Sequence, residues 1–188
     1  MSRQDFVIGG FGGQGIILAG YIVGQAAAIF DKKNATMTQD YGPEARGGAC
    51  RAEVVISDSQ ISYPYIESPS VLVVMSQEAY TKYTHGLRKD ALVLIDEDLV
   101  KPKKSMQNKI FAIPATRVAR ELGRTAVANI VMLGFLTAVT KITSIDSMKR
   151  SVLDSVPKGT EELNAKAFKR GYSYGLEKLK ASRGGGHE

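Results

Sequence analysis

Short apolar runs with strand character alternate with helix-like segments along most of this 188-residue chain. The most apolar runs lie at residues 6–8, 71–74 and 91–95, and residues 16–30 carry apolar side chains at helical spacing. A short run that is apolar at every position is typical of a strand buried on both faces. The alternation therefore predicts an α/β fold, in which helices cover a mainly parallel sheet.

The last third of the sequence has a helical pattern. Further strands are expected earlier, at residues 34–38, where the signal is weak, and at residues 51–57 and 109–113. A helix is expected directly after Ser76, and further helices at residues 116–123, 125–140, 145–156 and 160–179. Ser76, Thr116 and Ser144 are placed to cap three of these helices. We expect one domain over residues 1–179, with a flexible tail at residues 180–188.

The metal-binding side chains are too few for a cluster on this chain. The sequence has one cysteine, Cys50, and two histidines, His85 and His187. These exclude an internal disulfide, a four-cysteine zinc site and an iron–sulfur cluster. We expect Cys50 to be a buried thiol and His85 to be structural or solvated.

The chain carries a net charge of +6, and its basic residues are scattered. The densest cluster is at residues 101–104, so a solvated basic surface is favoured over nucleic-acid binding. An acidic partner or a phosphorylated ligand is the next alternative. No apolar run approaches the roughly 20 residues of a membrane span, and signal-peptide features are missing. We therefore expect a cytoplasmic protein that binds neither membrane nor nucleic acid.

Residues 10–15, here called the glycine turn, match the pattern G-x-G-x-x-G between a strand and a helix. The pattern predicts a Rossmann-like first βα unit, whose backbone amides and helix start can hold an anion. The candidate binding residues are Gly10, Gly12, Gly13, Gln14 and Gly15. The alternative is that the glycines only permit close packing. A dinucleotide also needs an acidic residue about 20 positions on, but residues 35–39 have none and Asp40 comes late.

Residues 41–48, here called the second loop, join two predicted strands. This stretch combines turn-forming Gly-Pro, a flexible Gly-Gly pair and an arginine whose planar fork suits a carboxylate or phosphate. Its candidate binding residues are Tyr41, Gly42, Pro43, Glu44, Arg46, Gly47 and Gly48. The alternative is an exposed turn whose charges pair with each other. Because both loops follow strands, we expect them to form one surface for a phosphate-bearing ligand or another subunit.

The two loops together resemble the gamma subunit of the 2-oxoacid:ferredoxin oxidoreductases. The resemblance rests on the sequence Phe-Gly-Gly-Gln-Gly at residues 11–15 and on Tyr-Gly-Pro-Glu-Ala-Arg-Gly-Gly at residues 41–48. It continues through residues 51–57 and 61–64, the helix around Asn129 and the last helix, so it spans nearly the whole chain.

The resemblance implies a multi-subunit enzyme that oxidatively decarboxylates a 2-oxoacid, forms an acyl-CoA and reduces ferredoxin. It places thiamine diphosphate and Mg²⁺ on alpha and beta subunits, and iron–sulfur clusters on beta and a ferredoxin-like delta subunit. It implies that this chain has no catalytic residue, is inactive alone, and contributes to assembly, active-site closure or coenzyme A binding through the two loops.

The substrate is not fixed by this subunit. Separate short gamma chains resemble those of 2-oxoglutarate enzymes, so 2-oxoglutarate is expected first, then pyruvate or branched-chain 2-oxoacids, with indolepyruvate a further alternative. A free-standing NAD or FAD oxidoreductase and a purely non-catalytic assembly module are the competing interpretations.

Overall fold

Six strands form the central sheet of the computed structural model, which describes residues 3–41 and 48–184. The strands are β1 (Gln4–Phe11), β2 (Asn34–Asp40), β3 (Ala49–Ser57), β4 (Val71–Val74), β5 (Leu92–Asp96) and β6 (Lys109–Ile113). Their order across the sheet is β2-β3-β1-β4-β5-β6. Each lies where the sequence predicted a strand, with shifts of a few residues at the ends.

The sheet is mostly parallel, as predicted. β1 pairs with β4, β4 with β5 and β5 with β6 in parallel, whereas β3 is antiparallel to both β1 and β2. β3 therefore separates β1 from β2, although the chain visits β2 directly after the first helix. This order fixes which loops meet at each edge of the sheet.

The helices cover both faces of the sheet and fill the last third of the chain. They are α1 (Ile16–Gln25), α2 (Gln77–Tyr83), α3 (Ala115–Glu121), α4 (Ala128–Thr140), α5 (Ile145–Ser155) and α6 (Glu161–Gly184). α1 continues as a π-helical segment, Ala26–Phe30. α6 includes residues 180–184, which the sequence assigned to a tail; residues 185–188 lie outside the described part of the chain.

Length and apolarity rule out a membrane span for every helix within the described residues.

Two hydrophobic clusters lie on opposite sides of the sheet. In β1, the side chains of Phe6 and Ile8 pack into the larger cluster with α1 and α4, whereas Val7 points into the smaller cluster with α2. All three are at most 4% exposed. Burial on both faces explains why the strand sequences are apolar at successive positions.

α4 and α6 approach each other at glycine positions. A Cβ atom built on Gly171 would overlap the carbonyl oxygen of Val131, and one on Gly134 would overlap the carbonyl oxygen of Phe168. One on Gly175 would lie 2.6 Å from the Cβ of Ala138. The two helix backbones therefore pack at a separation that only glycine allows.

Two of the three predicted caps are confirmed. The hydroxyl of Ser76 accepts a hydrogen bond from the Ala79 amide, and that of Ser144 accepts one from the Ser147 amide. The prediction for Thr116 is wrong, because α3 begins at Ala115 and Thr116 lies inside its first turn.

Asp96 caps α3 instead, from the end of β5. One carboxylate oxygen accepts hydrogen bonds from the amide (3.0 Å) and hydroxyl (2.6 Å) of Thr116, and the other accepts the Asp98 amide at 3.2 Å. Asp96 is fully buried. Burial raises the pKa of its carboxyl group, and these hydrogen bonds oppose the rise.

Asp96→Ala is expected to lower the free energy of unfolding by about 2 kcal/mol, because it leaves the partly buried amides of Thr116 and Asp98 without their acceptor and removes the cap of α3. The raised pKa sets the sign of the pH dependence. The stability that the group contributes is fully present below its unfolded pKa of about 3.9, and it declines as pH rises through the folded pKa. Urea unfolding at several pH values should therefore show a larger difference from wild type in acid. The exposed Asp154→Ala is the control, and an equal loss in both variants would contradict the capping role.

Candidate functional site

The glycine turn and the second loop begin at the same edge of the sheet. Phe11, the last residue of β1, is opposite Ala49 in β3, and Asp40, the last residue of β2, is opposite Arg51. Tyr41 and Gly48, the first and last residues of the second loop, lie at this edge. The other candidates of that loop lie outside the described residues: Gly42, Pro43, Glu44, Arg46 and Gly47.

Gln14 holds the glycine turn in shape. Its side-chain oxygen accepts a hydrogen bond from the Phe11 amide at 2.7 Å, and its side-chain nitrogen donates to the carbonyl oxygen of Met75 at 2.8 Å. Its own amide donates to the Phe11 carbonyl at 3.1 Å. Because both polar atoms of this side chain are engaged within the chain, Gln14 shapes the turn and ties it to the end of β4.

Two of the four glycines in the turn are close-packed. β1 extends through Gly10, where a Cβ atom would lie 2.5 Å from the Gln14 oxygen and 2.6 Å from Cδ1 of Ile16. Gly15 has a φ of +70°, and its Cβ would overlap the side-chain nitrogen of Asn129. That nitrogen donates to the Gly15 carbonyl at 3.2 Å. These two positions fit the close-packing interpretation of the motif.

The other two glycines are open. Among the described residues, no heavy atom lies within 4 Å of a Cβ built on Gly12 or Gly13, and Gly13 has a φ of +96°. The amides of Gly12, Gly13 and Gly15 find no acceptor within residues 3–41 and 48–184. α1 starts directly afterwards and adds the partial positive charge of its N-terminus. The open half of the turn therefore fits an anionic group such as a phosphate.

An ionic and aromatic cluster fixes the base of the second loop. Arg51 lies 3.8 Å from Asp40 and 3.2 Å from Glu53, and its guanidinium group lies 5.5 Å from the centre of the Tyr83 ring. Burial raises the pKa of Tyr83 to about 12. Its hydroxyl stays protonated at neutral pH and donates to the Ala49 carbonyl at 3.4 Å. The cluster joins α2 to β2 and β3, the strands before and after the second loop.

This geometry argues against a dinucleotide site. In a Rossmann enzyme the acidic residue that binds ribose follows the strand beside β1. Here the strand that follows the first helix, β2, does not lie beside β1, because the antiparallel strand β3 is between them; Asp40 at its end is therefore two strands from β1, roughly 10 Å at the usual strand spacing. Asp40 also pairs with Arg51.

A family model described as pyruvate ferredoxin/flavodoxin oxidoreductase matches residues 5–174. The chain belongs to this family. It is 52% identical over 178 residues to the 2-oxoglutarate synthase subunit KorC of Methanocaldococcus jannaschii, covering 93% of this chain and 95% of that protein. This chain is therefore a subunit of a 2-oxoacid:ferredoxin oxidoreductase, as the resemblance predicted.

Solved structures of related proteins have the same fold as this chain. The gamma subunit of a keto/oxoacid ferredoxin oxidoreductase from Geobacter sulfurreducens matches with a TM-score of 0.85 and 38% identity, over 94% of this chain and 98% of that one. A 2-oxoglutarate:ferredoxin oxidoreductase from Magnetococcus marinus, solved with 2-oxoglutarate, coenzyme A and succinyl-CoA bound, matches with a TM-score of 0.86 at 20% identity. The match covers 94% of this chain and 32% of that longer one, and it shows the fold alone.

Cys50 of this oxidoreductase subunit is a buried thiol, as predicted. It lies in β3 within the larger hydrophobic cluster and is 4% exposed. His85 is exposed just beyond α2. Within the described residues, no group of three or more His, Cys, Asp or Glu side chains is arranged to hold a metal ion.

Cys50 is expected to resist thiol reagents in the folded subunit. Burial raises the pKa of its thiol, so little reactive thiolate exists at neutral pH. A colorimetric disulfide reagent should react slowly with the native protein and rapidly and completely after unfolding in guanidinium. Rapid reaction with the native protein would contradict this account of the thiol.

Proposed function

We propose that this chain is the gamma subunit of a cytoplasmic 2-oxoglutarate:ferredoxin oxidoreductase. The complex oxidatively decarboxylates 2-oxoglutarate, transfers the succinyl group to coenzyme A, releases carbon dioxide and passes two electrons to ferredoxin. The observation that carries the proposal is the 52% identity to a 2-oxoglutarate synthase subunit across 95% of that protein's length. Pyruvate, branched-chain 2-oxoacids and indolepyruvate are the alternative substrates.

The chain's own contribution is to hold a phosphate group of coenzyme A at the open half of the glycine turn. The amides of Gly12 and Gly13 are the donors, and the N-terminus of α1 adds favourable charge. Arg46, which the sequence places in the second loop, is the proposed charge partner. Gln14, Gly10 and Gly15 position the turn. Coenzyme A bound to the Magnetococcus marinus enzyme supports this choice of ligand.

The remaining chemistry belongs to other subunits. Thiamine diphosphate with Mg²⁺, on the alpha and beta subunits, supplies the carbanion chemistry when bound, and iron–sulfur clusters on the beta and ferredoxin-like delta subunits carry the electrons. The single cysteine of this chain, Cys50, cannot ligate such a cluster. The two loops meet these partners at the end of the sheet where β1 and β2 terminate, and they help to close the active site.

Purification of a tagged chain from its native cells tests the proposal. We expect thiamine-diphosphate and iron–sulfur subunits to co-purify, and the complex to reduce a viologen dye with 2-oxoglutarate and coenzyme A faster than with the other 2-oxoacids. The isolated chain should be inactive. Activity of the chain alone, or failure to co-purify with such subunits, would contradict the proposal; a preference for pyruvate would overturn the substrate.

A further inference from the structure

An open groove lies between α5 and α6. We call it the α5–α6 groove; it has a volume of about 540 Å³, and its lining residues all belong to these two helices. Phe168, which is 2% exposed, lies at its floor, whereas Ile145 and Leu176 on its walls are 39% and 38% exposed. Large apolar side chains left open along a concave surface are typical of a site that binds a partner.

The α6 wall of the groove has the spacing of a helix-packing seam. Its lining residues include Ala165, Lys169, Tyr172 and Leu176, which are separated by four, three and four positions. This alternation is the spacing at which one helix packs along another. From residue 162 to residue 176 the wall is about 21 Å long, which matches a helix of about four turns. Because helices form both walls, an incoming segment finds no strand edge here, and a helix is the element that fits.

The walls of the groove are basic. Lys149, Lys166 and Lys169 line it, together with a single acid, Glu162. Lys166 pairs with Glu162 at 2.6 Å, so these two charges offset each other. Lys149 and Lys169 are exposed, and neither makes an ion pair or hydrogen bond with another of the described residues. Two uncompensated positive charges therefore flank an apolar floor, which favours a partner with carboxylates at matching positions.

We propose that the α5–α6 groove binds an amphipathic, acidic helix of a protein other than this chain. Apolar side chains of that helix contact Ile145, Tyr172 and Leu176, and its carboxylates pair with Lys149 and Lys169. In this mode of recognition the apolar anchors supply affinity, and the charges select the partner and its orientation. The groove shares no residue with the glycine turn or the second loop, so this binding site is separate from the one assigned to coenzyme A.

Charge disfavours a second copy of this chain as the occupant. In a two-fold dimer across the groove, Lys149 and Lys169 of one copy would face the same lysines of the other. Like charges that face each other oppose such an interface. The chain as a whole carries a net charge of +6, so repulsion also opposes contact through its other surfaces.

Zero-length cross-linking tests the inference. A carbodiimide joins a lysine to a carboxylate only where the two groups are in contact, and it would be applied to a tagged full-length chain in extracts of its native cells. By mass spectrometry we expect Lys149 and Lys169 to be joined to aspartate or glutamate residues of another protein. The joined segment should carry apolar residues at helical spacing.

Charge-reversal variants test whether the two lysines hold that protein. Lys149→Glu combined with Lys169→Glu should weaken its retention, without cross-linker, by about tenfold or more. Lys103→Glu combined with Lys104→Glu is the control, because these exposed lysines lie elsewhere and give the same change in net charge. The control should retain the protein as the wild type does, and retention by the wild type should fall as salt concentration rises.

An apolar variant tests the contact with the groove itself. Leu176→Ser should weaken retention of the same protein by about tenfold. Leu99→Ser, which removes an apolar side chain of nearly equal exposure (39%) outside the groove, should leave retention unchanged.

Each other outcome overturns the inference. These are no cross-link from either lysine, cross-links only to a second copy of this chain, a joined segment without helical apolar spacing, or equal losses in the variants and their controls. Binding of the chain to phosphatidylserine vesicles that Lys149→Glu with Lys169→Glu abolishes, with no protein cross-linked, would assign the groove to a membrane surface instead.

Discussion

Gly12→Val in the assembled enzyme is expected to raise the KM for coenzyme A by about 10- to 100-fold, the effect of losing one or two hydrogen bonds to a charged phosphate. None of the described residues fills the space around Gly12, and its φ is not in the left-handed region, so the described part of the chain accommodates a larger residue there. The valine side chain would occupy the space in which the phosphate approaches the amides of the turn. The melting temperature and the KM for the 2-oxoacid should stay close to those of the wild type.

Steady-state kinetics with a viologen acceptor measure this effect. Gly12→Ala should give a smaller increase, and Gly24→Ala, whose Cβ would lie 3.9 Å from the nearest atom, should give none. An unchanged KM for coenzyme A combined with weaker assembly would favour the interpretation of the chain as a non-catalytic assembly module. Loss of folding in Gly12→Val would show that other atoms occupy the space around position 12.

Gly171→Ala is expected to lower the free energy of unfolding by about 3 kcal/mol or more, since an added methyl group forces two packed helices apart. The obstruction is backbone, the carbonyl oxygen of Val131 in α4, which cannot move away without moving the helix. For a chain of this length the melting temperature should fall by roughly 6–12 °C.

Gly24→Ala is the matched control for this substitution, because Gly24 also lies inside a helix. Among the described residues its Cβ would meet only Val54, at 3.9 Å, so the better helix propensity of alanine should stabilise the protein by up to about 1 kcal/mol. Thermal unfolding followed by circular dichroism compares the two. Equal effects of the two substitutions would show that helix propensity, rather than the close approach of α4 and α6, sets the result.

Local features of the fold could be predicted from the sequence. The apolar run of β4 and the caps at Ser76 and Ser144 depend on neighbouring residues, and the structure confirms them. The antiparallel insertion of β3 depends on pairing between distant segments, which periodicity does not reveal. The cap of α3 was missed for a similar reason, because its acceptor, Asp96, lies 20 residues before Thr116.

The motif indicated a turn between a strand and a helix at residues 10–15, but it did not indicate which of the glycines are close-packed. Gly15 is close-packed because of Asn129, 114 residues further along the chain. Gln14 is engaged by Met75, at the end of a neighbouring strand. The division into a structural half and an open half is therefore a tertiary property. The one signal in the sequence was the Asn129 helix, which contributed to the family resemblance without indicating a role.

A cryo-EM map of the assembled complex with coenzyme A bound would show whether the glycine turn holds the coenzyme. We expect phosphate oxygens of coenzyme A about 3 Å from the amide nitrogens of Gly12 and Gly13. Coenzyme A held entirely by other subunits, with the glycine turn facing solvent or a protein surface, would contradict it.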